Sequence, residues 1–372
     1  MNNIKVLMIS KALIVGAYHK KLEELSALGI QLELVIPDKW GNRYPEIVSS
    51  PVYAIHKLPV IFSGKNHFHF YLHLDKLIDK IQPDVIHIDE ESFSFVTFQV
   101  LRIANRKNIP SVFFNWQNIY KQFPFPFSFF EQYALSHASS GIAGTEEVKD
   151  VLFRKGCRLP LYVIPQFGVD TDVFFKQQQS ELKKKIIGNC NGFVIGYCGR
   201  FVEEKGISDI LTACSKLPSI VHIVLIGEGL FRSELVRQSA LMGIEDRLHI
   251  VDSVLSTEMP RYLNILDCLV LPSHTRPNWK EQFGRVLIEA MACEVPVIGS
   301  NSGEIPNVIG HAGLIFPEGN TQALRDCLQK LFEDKMIRMN LGRAGRIRAE
   351  KYFTQRKIAE DIVEVYKSVI RK

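Results

Sequence analysis

Glu281-Gln-Phe-Gly-Arg-Val-Leu-Ile-Glu289 runs directly into Ala290-Met-Ala-Cys-Glu-Val-Pro-Val-Ile-Gly299. Two carboxylates eight positions apart bracket a glycine and a short apolar run, and a strand-like stretch follows. A helix opening near Gly284 would turn its free backbone N–H groups and positive dipole end toward whatever precedes it, ideally a phosphate. Glu281 then stays in the loop beside that phosphate. Glu289 projects from about the second helical turn, within reach of a neutral polyol such as a ribose. The arrangement suits a nucleotide-sugar. Taken alone, the pattern reads equally as an amphipathic helix with a capping acid and one solvated glutamate, so the flanking sequence has to decide.

Outward from this stretch, short β-branched runs alternate with longer helical patterns. Strands are expected at 5–9, 32–36, 85–88, 111–114, 141–143 and 162–164, then at 193–197, 222–226, 249–251, 268–271, 295–298 and 314–316. Helical periodicity marks 18–28, 70–81 and 207–217. This rhythm predicts an α/β protein with two Rossmann-like, doubly wound parallel-sheet domains facing a cleft. The break falls at Phe174-Phe-Lys-Gln-Gln-Gln-Ser-Glu-Leu-Lys-Lys-Lys185, a polar stretch without a strand. It sets an N-terminal domain at 1–175 and a C-terminal domain at 186–354. The remaining 355–372 forms an amphipathic helix expected to pack back toward the N-terminal domain.

Composition narrows the function classes. A chain of 372 residues exceeds one ordinary core. Its 46% hydrophobic and 23% charged content is that of a soluble globular protein. A formal charge of +5 favours anionic ligands or an anionic membrane surface, but is too small to argue for nucleic acid. No apolar run reaches membrane-spanning length. Ile4-Lys-Val-Leu-Met-Ile-Ser10 superficially resembles a secretion signal, but Lys11 and His19-Lys20-Lys21 interrupt it, so a first buried strand is expected. Seven cysteines, all from Cys157 onward and with no C-x-x-C pair, predict scattered reduced thiols in a cytoplasm.

In the second half, Gly196-Tyr-Cys-Gly199-Arg200-Phe-Val-Glu-Glu-Lys205-Gly206 follows the domain's first strand. Glycines at a strand's carboxyl end let backbone approach a ligand, with Arg200 and Lys205 as adjacent cations. Arginine grips a phosphate bidentately; lysine acts as a point charge. Gly227-Glu-Gly229, Leu271-Pro-Ser273, the Glu281-to-Ala292 stretch and Gly303-Glu-Ile-Pro306 follow in order. Together these motifs resemble those of retaining nucleotide-sugar glycosyltransferases of family 4, which have the GT-B fold. The strong motifs cover roughly residues 193 to 320. The resemblance implies that Arg200 and Lys205 neutralise the donor's pyrophosphate and the charge that grows on the leaving group. It implies hydroxyls of the transferred sugar on Glu281, and the distal phosphate on the N–H groups of Phe283, Gly284 and Arg285. The ribose falls to Glu289, and no metal or other cofactor is expected. It names no protein nucleophile: the leaving phosphate itself is the usual candidate for taking the acceptor's proton. One departure is Glu294, which stands where the family usually has glycine.

The first half carries weaker signals. Lys11-Ala-Leu-Ile-Val-Gly16-Ala-Tyr18 follows the first strand, and Gly16 is the family-based candidate for approaching the donor phosphates. Phe113-Phe-Asn-Trp116-Gln117-Asn118 lacks the histidine that many relatives place there, leaving Gln117 or Asn118 to orient a hydroxyl, or merely to end a strand. Glu90 and Glu91 are acceptor candidates or a surface acidic loop. Asp170-Thr-Asp172 spells an acid-x-acid metal motif but has no further ligands around it, so a turn cap is expected. His67, His69 and His73 are expected on the surface. Phe123-Pro-Phe-Pro-Phe-Ser-Phe-Phe130 is expected to start a core helix with inward aromatics; exposed, it would instead touch a membrane interface beside Lys121.

The expectation is a cytoplasmic glycosyltransferase that moves a sugar, with retention, from a nucleoside-diphosphate donor to a saccharide or lipid-linked saccharide hydroxyl, with a peripheral membrane contact and no nucleic acid. The alternatives are a non-catalytic nucleotide-sugar-binding subunit and a GT-B-fold nucleotide-sugar epimerase or hydrolase.

Overall fold

A computed structural model describes residues 4–46, 52–188 and 191–370. The chain divides into two compact units: Met1–Gly168 together with Gln355–Lys372, and Val169–Thr354.

In chain order the first unit comprises β1 (Lys5–Ile9), α1 (Lys20–Ala27), β2 (Gln31–Pro37), β3 (Ala54–Leu58), β4 (Val60–Ile61), β5 (Phe70–Tyr71) and α2 (Leu74–Ile81). It continues with β6 (Val85–Ile88), α3 (Phe95–Arg106), β7 (Ser111–Asn115), α4 (Phe127–His137), β8 (Ser140–Ala143), α5 (Glu146–Arg154) and β9 (Leu161–Val163). Its seven-stranded sheet runs β3-β2-β1-β6-β7-β8-β9, and every pair is parallel. The central strands are buried on both sides, as a sheet covered on both faces requires. One face is covered by α1 and by the C-terminal helix Gln355–Ile370, which inserts Ile358, Ile362 and Val369 among Val6, Met8 and Leu34. Tyr366 Oη also meets His87 Nδ1 at 2.7 Å. The amphipathic period of the last helix is used against this sheet; Arg371 and Lys372 lie outside the described residues.

Two local readings change. The helix expected over 70–81 begins only at Leu74, because His73 adopts a left-handed conformation (φ 60°) and Phe70–Tyr71 pairs with Val60–Ile61 as a short antiparallel ribbon. Strand β3, a half-exposed sheet edge, lacks the continuous apolar run that betrays a central strand.

The second unit comprises α6 (Ser180–Ile187), β10 (Phe193–Cys198), α7 (Ile207–Cys214), β11 (Val221–Ile226), α8 (Arg232–Leu241), β12 (Leu248–Val251) and α9 (Met259–Leu263). Then follow β13 (Cys268–Leu271), α10 (Arg285–Ala292), β14 (Val297–Ser300), α11 (Ile305–Ile309), β15 (Gly313–Phe316), α12 (Thr321–Glu333) and α13 (Lys335–Tyr352). Its parallel sheet runs β12-β11-β10-β13-β14-β15, the order of a dinucleotide-type doubly wound domain. The polar stretch 174–185, expected as the boundary, belongs to this unit, and the division falls at Gly168. The reason is local bonding: Val169 N–H donates to the Phe353 carbonyl at 2.8 Å, Arg346 to the Phe174 carbonyl at 2.8 Å, and Lys183 pairs with Asp267 at 3.0 Å. Glu294 sits at φ 57°, which explains why glycine is the usual residue there, and its carboxylate meets Lys176 at 2.9 Å.

Candidate functional site

In the second unit the candidate residues gather at the carboxyl ends of β10 and β13, the strands flanking the point where the order reverses. Gly199 leaves β10, and Arg200 follows with its side chain exposed and its carbonyl accepting from Tyr197 Oη at 2.9 Å. The single turn Glu203–Lys205 then aims Lys205 across to the other loop: its Nζ donates to Glu281 Oε2 at 2.6 Å. Ser273 Oγ, just past β13, donates to the same oxygen at 2.8 Å. Glu281 is buried. The Lys205 ammonium also stands 5.0 Å from the Trp279 ring centroid, within cation–π range. Trp279 is fixed by a tight turn in which it exchanges backbone hydrogen bonds with Arg276, at 2.7 and 3.2 Å.

The backbone of Glu281 is held from behind. Gly303 adopts φ +54°, and a Cβ there would lie 2.0 Å from the Glu281 carbonyl oxygen. That oxygen accepts the Glu304 N–H at 3.2 Å. Only glycine permits this approach.

Helix α10 opens at Gly284, whose left-handed conformation (φ 78°, ψ 55°) turns the chain into Arg285. Leu287, Ile288, Ala290, Met291 and Ala292 bury the inner face, which orients the first-turn N–H groups at the loop carrying Glu281 and Phe283. Glu289 sits one turn on, its Oε1 3.0 Å from Arg285 Nε. Burial pushes the Glu289 carboxyl above the usual range, with Arg285 opposing. Burial also raises the Cys198 thiol, and the charge of Glu289 adds to this.

Sequence reasoning assigned no role to Ser273 or Trp279, nor to the pair of His274 Nε2 with Asp209 Oδ2 at 2.6 Å. Leu271-Pro-Ser273 was legible as a motif at a strand end. Its bond to Glu281 is a through-space fact.

The first unit treats its candidates less evenly. The Gly16 N–H, expected near donor phosphates, donates to Glu46 Oε2 at 2.6 Å, so a carboxylate already occupies it. Glu90 is buried and not part of a surface loop: Lys11 N–H donates to its Oε1 at 2.8 Å, and the Lys11 ammonium pairs with its other oxygen. His69 is likewise buried, with Nε2 3.8 Å from Glu90; burial pushes this imidazole down to about 3. Glu91 accepts the Trp116 N–H at 3.2 Å, and burial pushes its carboxyl up to about 7. The Gln117 side chain donates to the Ile119 carbonyl at 2.9 Å, and buried Asn118 reaches Glu147 at 3.3 Å. In the second unit, Asp170 Oδ1 accepts the Asp172 N–H at 3.0 Å, a local turn. Among the described residues no three His, Cys, Asp or Glu stand together as a metal site, and no helix is long and apolar enough to cross a membrane.

Residues 19–173 match the family described as Glycosyltransferase Family 4, and residues 178–348 match Glycosyl transferases group 1. The chain belongs to glycosyltransferase family 4. This family 4 chain is 30% identical over 215 residues to the capsular polysaccharide biosynthesis glycosyltransferase CapM of Staphylococcus aureus, covering 55% of each. It is 29% identical over 211 residues to the N-acetyl-alpha-D-glucosaminyl L-malate synthase of Bacillus anthracis, covering 55% of this chain and 52% of that one. The chain thus spans about half the length of the curated relatives it matches. Among solved structures, a glycosyltransferase from Rickettsia africae superposes with a TM-score of 0.80 at 18% identity over 100% of both chains. Anabaena HepE in complex with UDP superposes with 0.78 at 19% identity over 98% of this chain and 100% of that one. The fold is GT-B.

Proposed function

We propose that this family 4 chain transfers a sugar, with retention at the anomeric carbon, from a nucleoside-diphosphate sugar to a hydroxyl of a surface polysaccharide or glycolipid, without a metal cofactor. The observation that carries this reading is the Lys205–Glu281–Ser273 cluster beside the glycine-opened start of α10. It sets a cation, an acid and the N–H groups of a helix start at one sheet end, as a diphosphate joined to a polyol needs. Arg200 and Lys205 neutralise the diphosphate as the bond to the sugar breaks. Once the phosphate draws Lys205 away, the Glu281 carboxylate accepts from hydroxyls of the transferred sugar. The N–H groups of Phe283, Gly284 and Arg285 hold the distal phosphate, and Glu289 takes the ribose hydroxyls. The departing phosphate oxygen removes the acceptor proton. Glu91 and Asn118 remain the acceptor-side candidates of the first unit. Solved complexes of Anabaena HepE with UDP and with UDP-glucose support a uridine nucleotide as the first donor to try.

A thermal-shift series of the full chain with UDP, GDP and ADP and their glucose conjugates, with and without EDTA, tests the reading. A midpoint rise with one nucleotide that survives EDTA, followed by transfer that gives a product with the donor's anomeric configuration by NMR, is expected. Binding without any transfer or hydrolysis would favour a non-catalytic nucleotide-sugar-binding subunit. No shift with any nucleotide would overturn the donor site.

A further inference from the structure

Three segments of the first unit, 60–71, 95–108 and 119–130, hold ten of the chain's 24 phenylalanines. They also carry Lys65, Arg102, Arg106, Lys107 and Lys121 without a single Asp or Glu, in a chain whose totals are 45 Lys and Arg against 40 Asp and Glu. The fold brings the three together. Phe62 on the β4–β5 ribbon meets Phe70 at 6.3 Å between ring centroids, and Phe70 meets Phe95 of α3 at 5.1 Å. Phe98 of α3 meets Phe129 of α4 at 5.4 Å, and Phe68 meets Phe127 at 4.6 Å.

This cluster is not a closed core. Helix α4 buries Phe130, Ala134 and Leu135 as expected, but Phe129 remains 49% exposed and Phe125, in the loop before it, 82%. Phe62 is 58% exposed at the tip of the ribbon, and the backbone there is left-handed (φ 57°). That conformation is unfavourable for a bulky residue, so the ring is held outward against a local cost. Soluble surfaces seldom gather several exposed large aromatics in one place. Beside them, Phe70, Phe95 and Phe98 line an open groove of about 340 Å³ with Arg102 and Arg106 on its rim. The Arg102 guanidinium lies 5.9 Å from the Phe98 centroid. Asp75 is the acid in this groove, and Asp79 pairs with Lys107.

We propose that this aromatic, arginine-rimmed face docks on an anionic phospholipid bilayer. Rings at the depth of the headgroups and cations above them are the chemistry that binds such a surface. A second copy of the chain fits less well, since a self-complementary contact would bring the same cations face to face. The face lies within the first unit, so its test reads independently of the donor site.

The full chain is floated with phosphatidylcholine vesicles, with and without phosphatidylglycerol. Binding is expected only when the anionic lipid is present, and it falls as salt rises. Phe125→Ser with Phe129→Ser should weaken it by on the order of tenfold or more, since two large exposed rings lose their apolar area. Arg102→Gln with Arg106→Gln should weaken binding to the anionic vesicles by about fivefold per charge. Unchanged thermal midpoints establish that both pairs of variants fold. Equal wild-type binding to both vesicle types, or phenylalanine variants that bind as wild type, would overturn the proposal. So would a vesicle-free dimer that the same substitutions abolish, because a second copy would then cover the face.

Discussion

Replacing Gly303 by alanine puts a methyl carbon 2.0 Å from the Glu281 carbonyl oxygen, at a backbone φ of +54°. The left-handed conformation costs a residue with a Cβ about 1–2 kcal/mol. The overlap cannot be absorbed by rotating a side chain, because both partners are backbone, so the Glu281 loop has to shift by on the order of 1 Å in a close-packed surrounding. Such forced overpacking adds about 1–3 kcal/mol. Together the two terms lower the midpoint of the second unit by about 5–15 °C, at about 2–4 °C per kcal/mol for a domain of this size. Gly319 is the control. It too is left-handed, at φ +74°, but a Cβ there would meet nothing within 4 Å. Gly319→Ala therefore carries the conformational term alone, about 1–2 kcal/mol. Scanning calorimetry gives the two midpoints, and transfer assays give the second difference. A 1 Å displacement of Glu281 should lower kcat on the order of a hundredfold, while Gly319→Ala leaves it unchanged. Equal midpoints for the two variants, together with a full transfer rate in Gly303→Ala, would refute the argument that Gly303 positions Glu281.

Glu289→Ala should raise the donor KM on the order of tenfold to a hundredfold, the loss of two hydrogen bonds to ribose hydroxyls, with kcat nearly unchanged. Lys205→Ala should instead depress kcat if, as proposed, its charge offsets that of the leaving diphosphate; identical steady-state constants for both variants and wild type would remove these assignments. Glu91 titrates at about 7 in the folded chain against an ordinary value of 4.5, so its contribution to stability is complete below pH 4.5 and is lost as pH rises toward about 7. Glu91→Gln should flatten that decline and stand above wild type beyond neutrality; parallel stability profiles in urea titrations across this range would exclude it.

Much of the fold lay open in the sequence. Apolar runs of four to six residues, separated by helical periods, fix parallel strands because only strands covered on both faces read that way. The same spacing located Gly199, Gly284 and the start of α10, since glycine at a strand end or before a helix marks a local backbone requirement. Strand β3 and the shortened α2 were not legible, because an exposed edge has no apolar signature and the break at His73 follows from the ribbon that Phe70 and Tyr71 join. The first unit's acids show the same limit. Nothing in Asp89-Glu90-Glu91 says which carboxylate is buried, and the answer depends on Lys11, 79 residues away, and on Trp116.

The sequence by itself determined the two sheets, the order of the loops and the residue types they carry, because periodicity and turn chemistry act over a few neighbours. Only the tertiary structure decided that Lys205, Glu281 and Ser273 share one oxygen, that Gly16 is already met by Glu46, and that Phe62, Phe125 and Phe129 face outward. Lys205 and Glu281 are 76 positions apart. Their meeting follows from the reversal of strand order between β10 and β13, and a contact made by topology leaves no mark in the local sequence on either side.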